Sequence, residues 1–465
     1  MRRPSSIAFA FSLTLLVPIA AAQTSAPPVF TSEAPPVPAE LAAYWDTLPA
    51  RPDAPLFTGE MVTVEARRVA ADSGGLVSLE ELGRSVEGRP IWHLSAGHGP
   101  TPVLLWSQMH GDEPSATPAL FALLDTLVEH RATPRVARLL DRLTVHVVPM
   151  LNPDGAERYQ RRNAQGIDIN RDALRLQTPE GRALKALRDR TGAVIGFNLH
   201  NQNWRTSVGR TPPRPATISL LAVAFDEART EDARRVLSKK TCAVIRDALE
   251  PLIPGQIGRY DDEFEVRAFG DNVTKWGTPV VLIETGPVAG VQPDRQLTRL
   301  NFVALVTALD ALASGRVHEA ATARYELLPE NESRLFHTAI RNATLIPGTG
   351  VAPFIGDVGI AGQRIVGTVN GQRRLHLAAR IEDLGDLRVF GALEEIDAGG
   401  KYLAPLYDAT LAPGARLTIA GAPRWPVTIA PGGAASFLLL TRGDAPDTFV
   451  VERVIRVGDA DRRQP

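Results

Sequence analysis

Between residues 100 and 315 short apolar runs alternate with longer helical patterns, and this alternation constrains the fold more than any other property of the chain. Strand-like runs fall at 103–107, 143–150, 194–200, 219–225 and 279–284. Helical periodicity separates them at about 115–130, 179–190, 230–250 and 296–314. Such a pattern predicts a mostly parallel sheet covered by helices on both faces. In sheets of this kind ligands bind beyond the carboxyl ends of the strands. His110, Asn152, His200 and Glu284 each occupy that position in their own segments, which predicts one shared site.

His110-Gly111-Asp112-Glu113 sets an imidazole and a carboxylate three positions apart, directly after the apolar run 103–106. Hydrolytic zinc centres use three protein ligands, two His and one Glu being a standard set, and keep a fourth position for water. The expected third ligand is a second histidine. His200, at the tip of 194–200, fits. An isolated H-x-x-E recurs by chance in long chains, where it ordinarily means an exposed His near a solvated Glu, so the wider pattern decides. Glu284 ends the apolar run 279–283. An acid at the tip of a buried strand is unfavourable unless it has a charged or polar task. General-base catalysis is one such task and a salt bridge or helix cap another.

Between the two ligand segments the chain reads Asn152-Pro153-Asp154-Gly155, then Arg161-Arg162-Asn163, then Gly166-Ile167-Asp168-Ile169-Asn170-Arg171. With H-x-x-E before them and His200 and Glu284 after, these motifs resemble in content and order those of the zinc carboxypeptidase family, the metallopeptidases typified by carboxypeptidase A. The resemblance includes the segment from Glu81 to Ile91 and covers roughly residues 60 to 315. It implies one Zn2+ ion held by His110, Glu113 and His200, with Glu284 as general base. It implies Arg161, or the adjacent Arg162 because this loop is short, as the cation facing the charge that develops on the carbonyl oxygen. Asn170 and Arg171 match the pair that holds a C-terminal carboxylate. Tyr260 stands where the family has a mobile tyrosine, and Asp168 is placed to orient a ligand imidazole. The implied protein is an exported zinc metallocarboxypeptidase acting on peptides with a free C-terminal carboxylate. A zinc amidohydrolase deacylating N-acyl amino acids and a peptidase for cell-wall peptide stems stay open as alternatives. Two departures bear on the pocket: Asp172 stands where the family often has Asn, and Asn201-Gln202 where Ser or Thr and then Tyr are common. The stretch 259–276 is expected to line the specificity pocket, its acids being either selectors of a basic side chain or ordinary loop charges.

A length of 465 residues exceeds one domain, and a net charge of -1 offers no basic excess to suggest nucleic acid. Arg2-Arg3, the apolar stretch 7–19 and Ala20-Ala21-Ala22 read as a signal peptide over 1–22, which predicts a periplasmic or secreted protein. Residues 23–57 are rich in Pro and Ala and are expected to form an irregular leader. A catalytic domain is assigned to 58–320. Beyond it, short apolar runs between Gly and Pro turns predict a small antiparallel all-β domain over 321–465, a sandwich or barrel without a readable role. No later segment is expected to sustain the ~20 apolar residues of a membrane span, so the mature chain is expected to be soluble. Cys242 is the only cysteine, which excludes an internal disulfide. The expected fold class is therefore α/β, a mostly parallel mixed sheet sandwiched by helices, followed by an all-β domain. Oligomeric state is not legible.

Overall fold

A computed structural model describes residues 27–210, 212–290 and 292–458, and the signal-peptide reading of 1–22 lies outside the described residues. Eight strands build the first sheet: β1 (Val77–Arg84), β2 (Pro90–Ala96), β3 (Thr101–Ser107), β4 (Leu143–Val148), β5 (Ile195–Asn201), and, after the two-residue strands β6 (Ser207–Val208) and β7 (Arg214–Pro215) that pair with each other, β8 (Ile218–Ala222), β9 (Ile257–Arg259) and β10 (Val280–Thr285). Their order is β1-β2-β4-β3-β5-β10-β8-β9. The run β4-β3-β5-β10 is parallel, while β1/β2, β2/β4 and β10/β8 are antiparallel. This is the expected mixed sheet.

Its strands are apolar on both faces because helices cover both. Along β3, Val103 and Leu105 enter one core with Phe121, Leu300 and Phe302, while Leu104 and Trp106 enter the other with Leu184, Leu187 and Phe269. Alternation with period two therefore assigns each residue to a core. The helices begin and end where local chemistry dictates. Thr178 accepts a hydrogen bond from Gly181 N to start Pro179–Thr191, and Gly192 at φ 58 ends it. Asp232 accepts from Arg234 N and Arg235 N at the head of Ala233–Leu249, which buries Cys242.

Three expectations are corrected. The leader is helical over Pro38–Thr47, with Leu41, Tyr44 and Trp45 buried, because its apolar positions pack on Pro293–Ser314. Buried Arg135 fixes it further by donating to the carbonyls of Val29, Ser32 and Ala34. Helix Pro293–Ser314 is itself long and apolar enough to cross a membrane, and 83% of its most apolar 18-residue window is buried inside the fold. The C-terminal region is not purely antiparallel. β11 (Leu335–Leu345), β12 (Phe354–Val369), β13 (Gln372–Gly385), β14 (Gly391–Asp397), β15 (Tyr402–Pro405), β16 (Arg416–Thr418), β17 (Ser436–Arg442) and β18 (Thr448–Arg456) form a mixed sheet, in which β11 runs parallel to both β14 and β15. The runs at 365–369 and 375–381 are not separate short strands. They belong to a continuous hairpin of 16 and 14 residues that turns at Asn370-Gly371, because Gly362 extends the ladder instead of turning.

Candidate metal centre and cleft

The site is built where β3, β4, β5 and β10 end. β5 and β10 are parallel neighbours in a register that sets Glu284 directly beside His200. After β3 the chain turns sharply at Gln108, whose φ of 47 is unusual for a non-glycine residue. Its side chain stabilises the turn by donating to Gly111 O at 3.1 Å and accepting from Thr117 Oγ1 at 2.6 Å. Gly111 is required by the next layer. A Cβ there would lie 2.0 Å from Gly155 C, so the H-G-D-E loop rests on the N-P-D-G backbone. Asn152 locks the two together, accepting from Gly155 N at 2.9 Å and donating to Met109 O and Arg161 O, both at 3.3 Å. Asp154, fully buried, holds the upstream 85–89 turn by accepting from Ser85 Oγ, Glu87 N and Arg89 Nη1. These contacts explain why motifs distant in sequence occur together.

His110, Glu113 and His200 are brought together and buried. His110 Nδ1 lies 2.7 Å from Glu113 Oε1, His200 Nδ1 lies 2.6 Å from Glu113 Oε2, and the two Nδ1 atoms are 3.1 Å apart. Zinc with arms of about 2.0–2.2 Å has ligand atoms roughly 3.3 Å apart, so this cluster is close to the triangular face such an ion needs. Two Nδ1 atoms turned toward each other around a carboxylate have no better partner than a cation, and the donor set fits zinc. His110 Nε2 meets Asp168 Oδ1 at 3.1 Å, the outer contact that orients a metal-bound imidazole.

The charges reinforce one another. Burial alone would lower the His110 pKa, but the Glu113 and Asp168 carboxylates lift it to about 9. Burial would raise Glu113, and the two imidazoles hold it well below the usual carboxylate range instead. Asp168 is likewise held low against its burial by His110 and Arg161. Glu284 goes the other way. It is 7% exposed, its Oε2 has no hydrogen-bond partner, and burial followed by the nearby Glu113 charge pushes it up to about 8. Opposite shifts in neighbouring carboxyls are what acid–base sites require.

Arg161 donates through Nε to Asp168 at 2.9 Å and through Nη1 lies 3.1 Å from both His110 Nδ1 and Glu113 Oε1. Arg162 points away to Gly166 O. Asn170, Arg171 and Tyr260 line the same cleft as His110, Glu113, His200 and Glu284. Asn170 is fixed by Phe269 N at 2.8 Å, and Arg171 pairs with Glu265 at 3.2 Å. Tyr260 is 36% exposed, and Glu284 and burial push its phenol up to about 12. Asp271 lines this part of the cleft with its carboxyl pushed up to about 7 by burial. The departures from the family pattern have structural work. Asp172 accepts from Gln177 N and Thr178 N, and Gln202 binds Ala216 O, Ser219 Oγ and Asn331. Glu265 was not singled out in the sequence. Its only signal is its place in the acidic stretch before helix Phe269–Lys275, and only the fold brings it to Arg171.

Residues 63–211 match the zinc carboxypeptidase family model. Carboxypeptidase D of Mus musculus is 34% identical over 186 residues, which cover 29% of this chain and 14% of that protein. Carboxypeptidase M of Mus musculus is 31% identical over 158 residues, covering 29% of this chain and 36% of the relative. The match thus spans well under half of these relatives' length. Among solved structures, a metallo-carboxypeptidase from Burkholderia cenocepacia aligns over 56% of this chain and 70% of its own, at 19% identity and a TM-score of 0.47.

Proposed function

We propose, from the match of residues 63–211 to the zinc carboxypeptidase family model, that this protein is an exported metallocarboxypeptidase that removes residues from the C-terminal end of peptides. The observation that carries the reading is the convergence of His110 Nδ1, Glu113 and His200 Nδ1 in one cleft with Glu284, Arg161 and Arg171. His110, Glu113 and His200 would hold the zinc ion of this family. Zinc there supplies a Lewis acid for the scissile carbonyl and lowers the pKa of a water to about 7.

The chain's own residues divide the remaining work. Glu284 receives the proton of the attacking water. Its buried Oε2, which has no other hydrogen-bond partner, then delivers that proton to the departing amine. Arg161 directs its guanidinium to the edge of the ligand cluster, where negative charge on the carbonyl oxygen is favoured. Asp168 holds His110 and Arg161 in one orientation through its two oxygens. Arg171 binds the terminal carboxylate as a planar donor, exchanging Glu265 for substrate, and Asn170 and Tyr260 complete that wall.

A chelator-sensitive assay on matched peptides with free and amidated C-termini tests the reading. Cleavage of the free acid alone is expected. Arg171→Gln should raise KM for the free acid roughly 10- to 100-fold, the value of a charged hydrogen bond. Equal cleavage of the amidated peptide would refute the carboxypeptidase assignment.

A further inference from the structure

The second sheet reaches into the catalytic cleft. β11 pairs with β12 only as far as Thr338↔Ile360, while β12 and β13 continue together from Ile360↔Ile381 to Val369↔Gln372. The hairpin therefore projects about 30 Å beyond the body of its sheet. It is tied down along its length. Arg205, just after His200, pairs with Glu382. Arg364 pairs with Asp294 at 2.5 Å and lies 4.8 Å above the Trp204 ring. Arg373, next to the tip, donates to Ala156 O at 2.6 Å and Glu157 O at 2.7 Å, at the end of helix Pro153–Arg158. The hairpin thus runs from the loop that follows one metal ligand to the segment that precedes Arg161.

Ala361, Gly362, Gln363 and Arg364 line the cleft that also holds His110, Glu113, His200 and Glu284. Gly362 has only backbone to present there, since a Cβ would run into Leu377 Cδ1 at 2.6 Å. Among the described residues, no strand pairs with the edge of β12 opposite β13 beyond Ile360. An unpaired strand edge is a row of N–H and C=O groups ready to accept an extended chain. The cleft encloses about 1270 Å³, more than a one-residue pocket needs. A peptide held at Arg171 by its terminus, with its last bond at Glu284, must run its remaining residues past the other walls, namely the 202–206 loop and β12.

We propose that the substrate residues upstream of the cleaved bond bind as an added strand on the free edge of β12 at Ala361–Arg364. This rests on the peptidase reading. The C-terminal domain is then part of the substrate site. It reads main chain instead of side chains, so upstream sequence is tolerated while an extended conformation is required.

The test uses the zinc-loaded full chain and peptides of two to seven residues with one shared C-terminal residue, together with an N-methyl scan of the upstream amides. kcat/KM should rise with length, and N-methylation should reduce it roughly three- to tenfold at alternate positions only, the value of one backbone hydrogen bond with the period of a strand. The same peptides, titrated calorimetrically into Glu284→Gln protein, read the strand without turnover. Rates and affinities indifferent to length and to N-methylation would overturn the proposal even if the peptides are cleaved. Absence of turnover together with alternate-position loss of binding would strike the peptidase reading and uphold the strand. In a variant whose hairpin is cut back past Gly362, the alternate pattern should disappear, and its persistence would overturn the assignment to β12.

Discussion

Replacing Glu284 by Gln separates the chemistry of the site from its electrostatics. The carboxyl is buried, lacks a partner for Oε2, and has a pKa raised from 4.5 to about 8 by burial and by Glu113. A raised carboxyl pKa means that the folded state holds a proton the unfolded chain has released. No penalty exists below pH 4.5; it grows as pH rises and is complete above about 8. At ~1.36 kcal/mol per unit, the full penalty in metal-free protein is about 4 to 5 kcal/mol. Gln, which is isosteric and uncharged, removes it. Metal-free Glu284→Gln should therefore exceed the wild-type protein in urea stability by about 4 kcal/mol at pH 9 and by under about 1 kcal/mol at pH 5. Zinc-loaded, the same variant should bind one metal ion and lose roughly 100- to 10,000-fold in kcat, the worth of a positioned general base. Equal stabilisation at both pH values would refute the electrostatic argument. Full activity would refute the assigned base, and loss of zinc would show that Glu284 belongs to the ligand set.

Two further substitutions probe the support of the proposed metal ligands. Asp168→Asn leaves the shape intact but removes the charge that orients His110 and Arg161, so zinc affinity measured by chelator competition should fall about 10- to 100-fold. Unchanged affinity would mean that Asp168 serves Arg161 alone. Gly111→Ala forces a Cβ to 2.0 Å from Gly155 C; it should cost about 1 to 3 kcal/mol, lower Tm by several degrees and reduce metal occupancy.

Much of the site was legible because its parts sit at places that sequence marks. Apolar runs ending in His200 and Glu284 identify strands and their tips, and β5 and β10 lie within a residue or two of the expected spans. Helices Pro179–Thr191 and Ala233–Leu249 were readable from periodicity, as the patterns at about 179–190 and 230–250. β1 was missed because Val77–Arg84 is a largely exposed edge strand with two acids and an arginine, which carries little alternation. The leader was read as irregular because proline density hides the Leu41, Tyr44 and Trp45 face that docks on Pro293–Ser314. The hairpin β12–β13 was fragmented because internal glycines look like turns when the partner strand is not in view.

Residue identity and order, through their resemblance to the zinc carboxypeptidase motifs, were enough to single out His110, Glu113 and His200 as candidate donors, Glu284 as the candidate acid and the flanking arginines as candidate cations. What the chain could not reveal by itself is everything that depends on through-space proximity. Tertiary structure selected Arg161 over Arg162 as the arginine facing the ligands, engaged Arg171 with Glu265 across 94 residues of sequence, and laid a hairpin of the last domain along a cleft made by the first. Sequence period reports which face of an element is apolar. Only packing fixes which elements face each other, since that is set by the summed burial of surfaces far apart in the chain.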